Sequence, residues 1–96
     1  MIRYLSLISF TDQGVRDVSH SIERASQFRK SVEAAGGKLL AQYWSIGDVD
    51  GCVVLEAPDE PTAAALLLSL AKAGNVRTQS TRLFDAQEFQ QIIGKL

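Results

Sequence analysis

The sequence predicts an α+β domain in which helices cover one face of a four-stranded β-sheet. Four segments are rich in β-branched and aromatic residues, as strands require. Two longer segments between them carry helix start and stop signals, and one repeats apolar residues at spacings of three and four. The 96 residues are enough for one hydrophobic core and too few for two, so we expect a single domain over residues 1–96.

The first strand is predicted over Ile2–Phe10, which contains no Gly or Pro. Cap and turn residues at 11–14 then begin a helix whose apolar stripe runs from Val15 to Ala35. Weaker helix formers at 19–21 can kink this helix near its first turns. Gly36 and Gly37 end it, because glycine is the usual residue after a helix C-terminus.

The second and third strands are predicted over Lys38–Ile46 and Cys52–Ala57. A five-residue loop bounded by Gly47 and Gly51 separates them, which favours an antiparallel hairpin. The segment 58–61 then supplies an acidic cap and a proline beside the first helical position. The second helix therefore begins there, is apolar on nearly every side, and ends at Gly74.

The fourth strand is predicted over Asn75–Phe84, and Asp85 caps a short final helix whose apolar residues are Phe89, Ile92 and Ile93. The element order is thus β-α-β-β-α-β followed by a helix. This order is typical of the split βαβ, or ferredoxin-like, sandwich. We therefore predict a ferredoxin-like βαββαβ sandwich with a C-terminal helix.

The two faces of the first and third strands predict a homodimer. Leu5 and Leu7 point to one face while Tyr4 and Ile8 point to the other, so both faces carry apolar side chains. An isolated sandwich of this class leaves one sheet face in water and should carry polar residues there. A second copy of the chain is the simplest cover for the second face, so we expect the chain to pair with itself in a homodimer or a higher homo-oligomer. The alternative is that these residues are ordinary exposed apolar side chains.

Charge and cysteine content exclude several function classes. Ten Lys and Arg against eleven Asp and Glu give a net charge of -1, so we expect neither nucleic acid nor membrane as a partner. The longest apolar run, 63–68, is far shorter than the roughly 20 residues that span a bilayer. Cys52 is the only cysteine and cannot form an internal disulfide or a zinc cluster. We expect a cytoplasmic protein with no metal and no cofactor.

Five residues form the candidate ligand-binding set. Tyr4 and Trp44 offer flat amphipathic surfaces for an aromatic group. His20, the only histidine, adds a titratable group, Asp50 a carboxylate and Arg82 a fixed positive charge. An apolar pocket with a few polar groups is the usual form of a small-molecule site, so an anionic or aromatic metabolite is the expected ligand.

Each of these residues also has a structural interpretation. Asp50 and Asp48 flank a hairpin tip, where carboxylates serve as turn residues more often than as an acid–base pair. His20 can be a partly exposed helix residue, and Tyr4 can be part of the core. Trp44 has the same alternative. Arg82 has opposite strand parity to Arg77, so a regular strand brings at most one of the two arginines to a pocket.

Four segments, Leu7–Gly14, Tyr43–Gly51, Glu56–Asp59 and Gly74–Thr78, together resemble the GYD-domain family over nearly the whole chain. The resemblance implies a dimeric α+β barrel, in which two ferredoxin-like chains press their sheets together. In the signature loop Gly47 and Asp50 are in register, and Val49 stands where the family has tyrosine. Two function classes remain open: a dimer that binds a small molecule, and a non-catalytic assembly or regulatory module that acts through its oligomer interface.

Overall fold

The computed structural model describes all 96 residues and contains the predicted elements in the predicted order. The strands are β1 (Ile2–Phe10), β2 (Lys38–Trp44), β3 (Gly51–Ala57) and β4 (Val76–Leu83). The helices are α1 (Asp12–Arg16), α2 (Ser21–Ala34), α3 (Glu60–Ala73) and α4 (Ala86–Ile93). None of these helices is long and apolar enough to span a membrane.

The four strands form one antiparallel sheet in the order β2-β3-β1-β4. The α+β class is confirmed, and the strand order agrees with that of a split βαβ sandwich. Tyr4 lies opposite Leu55 and Arg82, and Leu5 lies opposite Val54 and Thr81. Because paired residues share a face, this register sends Tyr4 and Leu5 to opposite sides of the sheet.

Helix caps form where the sequence predicts them. The Thr11 hydroxyl accepts from the Gly14 N–H at 3.1 Å, and the Asp59 carboxylate accepts from the Thr62 N–H at 2.9 Å. Asp85 and Glu88 form a reciprocal capping box at the start of α4. Gly74 ends α3 with a φ of 87°, a conformation that glycine adopts without a steric penalty.

The helix predicted over Val15–Ala35 is divided into two. α1 ends at Arg16, a 3-10 turn covers Val18–His20, and α2 begins at Ser21. The break coincides with the weak helix formers at 19–21. The second strand is also shorter than predicted and ends at Trp44, because the Ser45 N–H donates to the Asp50 carbonyl and closes the hairpin loop there.

The core lies between the sheet and the two long helices. Its buried apolar residues come from α2, α3, β2 and β3 and comprise Phe28, Val32, Leu39, Val53, Leu55, Ala57, Ala63 and Leu66. One buried polar side chain, Ser6, shares this side of the sheet, and its hydroxyl forms a hydrogen bond with that of Ser80 at 2.9 Å. The buried hydroxyl is therefore paired, as burial of a polar group requires.

The other side of the sheet, which we call the open face, carries Leu5, Leu7, Cys52 and Val54 at its centre. These side chains are half-buried. α4 is joined to the open face by an ion pair between Arg3 and Glu88 at 3.6 Å. The apolar residues of α4 and the C-terminus stay exposed, namely Phe89, Ile92, Ile93 and Leu96.

Gly14 marks the closest approach between two parts of the backbone. A Cβ atom at this position would overlap the carbonyl oxygen of Asn75, which also accepts from the Thr11 N–H at 3.1 Å. We expect Gly14→Ala to lower the free energy of unfolding by about 1–3 kcal/mol, because the backbone must move to admit the methyl group. Gly94→Ala is the matched control, since its Cβ would lie 3.4 Å from the nearest atom. Urea unfolding measures both, and equal stability of Gly14→Ala and wild type would contradict the close approach.

Candidate functional site

A cavity of about 330 Å³ lies between α2, α3 and the helix-covered side of the sheet. It lies at the end of the sheet where β1 finishes at Phe10, β3 begins at Gly51 and β4 begins at Val76. Its volume is at the lower end of the range for small-molecule sites. This cavity is the candidate site.

Two of the predicted site residues, Trp44 and Asp50, line the cavity. Trp44 is the last residue of β2, lies opposite Gly51 in the sheet and is 48% exposed. At this strand end about half of the residue is accessible, while pairing with Gly51 holds its backbone. Trp44 therefore supplies an aromatic wall that a ligand can reach.

Asp50 fastens the β2–β3 loop to the end of β1. Its Oδ2 accepts from the Phe10 N–H at 2.7 Å, and its own N–H donates to the Ile8 carbonyl at 2.8 Å. The carboxylate thus bonds the backbone of a neighbouring strand rather than its own turn. Asp48, by contrast, is exposed and makes no hydrogen bond. Asp50 has a positioning role at the cavity wall, which is closer to the turn interpretation than to an acid–base pair.

Tyr4 and Arg82 lie together, away from the cavity. The Tyr4 hydroxyl donates to Glu60 Oε2, and Arg82 Nε donates to Glu60 Oε1 at 3.3 Å. The Arg82 guanidinium also lies over the Phe84 ring, 4.5 Å from its centroid. The hydrogen bond to Glu60 raises the pKa of the Tyr4 phenol, so this group stays protonated at neutral pH. The cluster connects the start of α3 to β1 and β4, which is a structural task.

His20 occupies the 3-10 turn and is exposed. Its Nδ1 donates to Asp17 Oδ1 at 2.6 Å. This hydrogen bond is the main cause of a lowered pKa at the Asp17 carboxyl, and Arg24 lowers the pKa further. His20 does not line the cavity, but Asp17 connects it to Arg24, which does.

Arg24 is the cavity residue that sequence reasoning missed. Its Nη1 donates to the Asp17 carbonyl and to Asp17 Oδ2, both at 2.8 Å. Arg24 precedes Phe28 by four residues, so both lie on the same side of α2 and both line the cavity. The spacing of four residues from Phe28, an apolar residue of the helix stripe, is the sequence feature that could have placed Arg24 on the core-facing side of α2.

The five predicted site residues therefore lie in three places. Trp44 and Asp50 meet in the cavity, whereas Tyr4 and Arg82 form a separate cluster and His20 lies on the outer turn. The structure contains no group of three or more His, Cys, Asp or Glu side chains arranged to hold a metal ion. The cavity can place an apolar or aromatic group against Trp44 and Phe28 and an ionic group at Arg24.

The chain is thus a small α+β sandwich domain with a candidate ligand cavity between its helices and its sheet. The chain belongs to the GYD-domain family, whose sequence profile matches residues 4–93. It is 32% identical over 81 residues to a Thermus thermophilus protein named "Glutamine synthetase and cystathionine beta-lyase binding protein". That match covers 83% of this chain and 85% of the relative.

The fold is also similar to a solved structure, that of MtbAldR, with a TM-score of 0.67 and 13% sequence identity. The match covers 88% of this chain and 53% of that chain, so this domain spans about half the length of its structural neighbour. At this identity the likeness concerns the fold alone.

The two loop carboxylates make a matched pair for testing the role of Asp50. We expect Asp50→Ala to lower the free energy of unfolding by about 1–3 kcal/mol, because the Phe10 N–H loses its acceptor in a partly buried place. Asp48→Ala removes an exposed carboxylate with no partner and should change the free energy of unfolding by less than about 0.5 kcal/mol. Chemical denaturation of both variants gives the comparison. Equal effects would show that Asp50 does not hold the loop.

Proposed function

We propose that this GYD-domain protein is a homodimeric binding module in which two chains join their open faces to form an α+β barrel. The observation that carries the proposal is the uncovered apolar surface on β1 and β3, the two central strands of the sheet. Leu5, Leu7 and Val54 are adjacent there, and because they are already half-buried, covering the remainder of each contributes part of the roughly 1.5–3 kcal/mol that full burial of such a side chain is worth. A second copy presents the same surface and is self-complementary about a two-fold axis.

Charges on the open face support burial of its centre. Arg3 pairs with Glu56 at 2.7 Å and with Glu88 at 3.6 Å, so the guanidinium is neutralised within its own chain. These groups lie at the end of the face, beside the apolar residues rather than among them. An apolar centre with a polar margin is the usual anatomy of a protein interface.

α4 extends the same uncovered surface. A helix of eight residues is too short to be stable in water by itself, even with the capping box that Asp85 and Glu88 form. Its apolar residues Phe89, Ile92 and Ile93 are exposed in the single chain. We propose that the partner chain covers them, which extends the sheet-to-sheet contact.

The dimer is tested by the mass of the protein in solution. Light scattering at micromolar concentration should give about twice the 10.5 kDa of the chain. Leu5→Glu places a charge at the centre of the open face and should raise the dimer dissociation constant by at least about 100-fold. Ile22→Glu is the control, because Ile22 is 71% exposed on α2 and should leave the dimer intact. A wild-type protein with the mass of one chain would contradict the proposal.

We further propose that the dimer binds glutamine synthetase, cystathionine beta-lyase or both. The support is the Thermus thermophilus relative, whose name states that it binds glutamine synthetase and cystathionine beta-lyase and which matches this chain over most of both lengths. Exposed apolar side chains on the helical side, Val15, Val18, Ile22 and Leu68, stay uncovered in such a dimer, and exposed apolar patches commonly mark interaction sites. A cytoplasmic location remains a prediction, and the free thiol of Cys52 supports it.

Binding to the two enzymes can be measured with purified proteins. Surface plasmon resonance of this chain against glutamine synthetase and cystathionine beta-lyase from its own organism should give a dissociation constant of about 1 µM or tighter for at least one enzyme. An unrelated oligomeric enzyme serves as the control. If neither enzyme binds this chain at concentrations up to about 10 µM, the protein-binding function is refuted.

The cavity favours a second function, the binding of a small anionic or aromatic metabolite. Its position on the side of the sheet opposite to the open face means that a dimer leaves it unobstructed. Trp44 provides an accessible aromatic surface and Arg24 a fixed cation. This function is compatible with the first, because the two use different sides of the same sheet.

A further inference from the structure

We propose that the cavity binds a small monocarboxylic acid with an apolar or aromatic body, and that Arg24 binds its carboxylate. This inference rests on the small-molecule function and names the ligand class and its anchor. It replaces Arg82, the cation expected from the sequence, with a cation that lies in the cavity wall.

The hydrogen bonds that Arg24 forms leave some of its N–H groups free to bind an anion. A guanidinium has five N–H donors in a planar fork, and here Nη1 alone is engaged, with both bonds going to Asp17. Nη2 is buried and has no acceptor from the protein within hydrogen-bond distance. An unpaired buried donor is unfavourable, and a small turn of the guanidinium about its Nη1 contacts would bring Nη2 to a ligand carboxylate in the cavity, which supplies the acceptor.

Asp17 holds Arg24 in place for this task. The two bonds from Nη1 fix the guanidinium against the start of α2, and the bond from His20 fixes the Asp17 carboxylate in turn. A side chain held in this way loses less conformational freedom when a ligand binds. The chain Arg24, Asp17, His20 is therefore a positioning device, and Arg24 is the member that reaches the cavity.

The rest of the cavity selects the body of the ligand. Eleven of its 20 lining residues are hydrophobic, so an apolar group gains more there than a polar one. Phe28 and Leu66 come from the two helices, and Trp44 closes the wall from the sheet. The volume of about 330 Å³ limits the ligand to a small acid.

Asp50 limits the ligand to one carboxylate. Its Oδ2 is bonded to the Phe10 N–H, so the side chain is held in the cavity wall and cannot turn away. A second negative group on the ligand would meet this fixed charge, which is unfavourable in a partly buried place. Dicarboxylates are therefore expected to bind more weakly than monocarboxylates of the same size.

Trp44 provides the measurement, because it is the only tryptophan of the chain and lies in the cavity. We would titrate the protein with phenylacetate and hexanoate and with the neutral amides of the same shape, phenylacetamide and hexanamide, and follow Trp44 emission. Each acid should bind at least about ten-fold more tightly than its amide, as expected for a charge-assisted hydrogen bond.

Arg24→Met should remove the preference for the acid over the amide while binding of the amide persists. Arg16→Met is the control, because Arg16 is exposed and lies outside the cavity, and it should keep the preference. Circular dichroism checks that each variant is folded. Arg24→Lys, which keeps the charge but loses the fork, should retain part of the preference.

The outcomes separate the anchor from the function. Equal affinity of acids and amides for the wild type, or a preference that survives Arg24→Met, overturns Arg24 as the carboxylate anchor and leaves small-molecule binding in place. If neither acids nor amides bind, both the anchor and the small-molecule function are refuted. If Arg24→Met does not fold, the relative affinity of the wild-type protein for acids and amides still tests whether the cavity recognises a carboxylate.

Discussion

Two helices on the same side of a four-stranded sheet leave the other side without cover, and most features of this protein follow from that constraint. On the covered side, β1 and β3 bury Leu55, Val53 and the Ser6 hydroxyl against α2 and α3. On the open face the same strands carry Leu5 and Leu7, whose burial would stabilise the protein only if another surface met them. Of the elements in the structure, only α4 is left for that surface, and it has eight residues.

The cavity exists because several turns converge at one end of the sheet and hold the helices there. The Thr11 N–H and the side chain of Gln13 bond the turn around Asn75, and Asp50 bonds the end of β1. Asp50 forms these contacts through its carboxylate and backbone, without help from the Val49 side chain. The aspartate of the signature loop thus has a structural role that the valine at position 49 does not disturb.

The sequence could predict what depends on local chemistry. Caps at Thr11, Asp59 and Asp85 and the left-handed Gly74 form as predicted, because each is determined by a few neighbouring residues. The division of the candidate site depends instead on which ends of the strands lie near each other. The residue pattern gives the face of Tyr4 and Trp44 but not their distance along the sheet. It therefore groups Trp44 and Asp50 with Tyr4 and Arg82, which lie on the same side of the sheet but outside the cavity. Arg24 was missed because a charged residue on an amphipathic helix is usually interpreted as solvated.

The separation of the two faces has a consequence for how ligand binding and assembly relate to each other. Arg24 and Trp44 lie on one side of the sheet and Leu5 and Val54 on the other, so the sheet itself separates the proposed ligand site from the proposed interface. A paired antiparallel strand resists sliding, because a shift of one residue would exchange the two faces. In the proposed dimer, a ligand in the cavity would influence assembly through stiffening of the sheet end around Asp50 and Phe10, where Asp50 bonds the Phe10 N–H, rather than through a change in strand register.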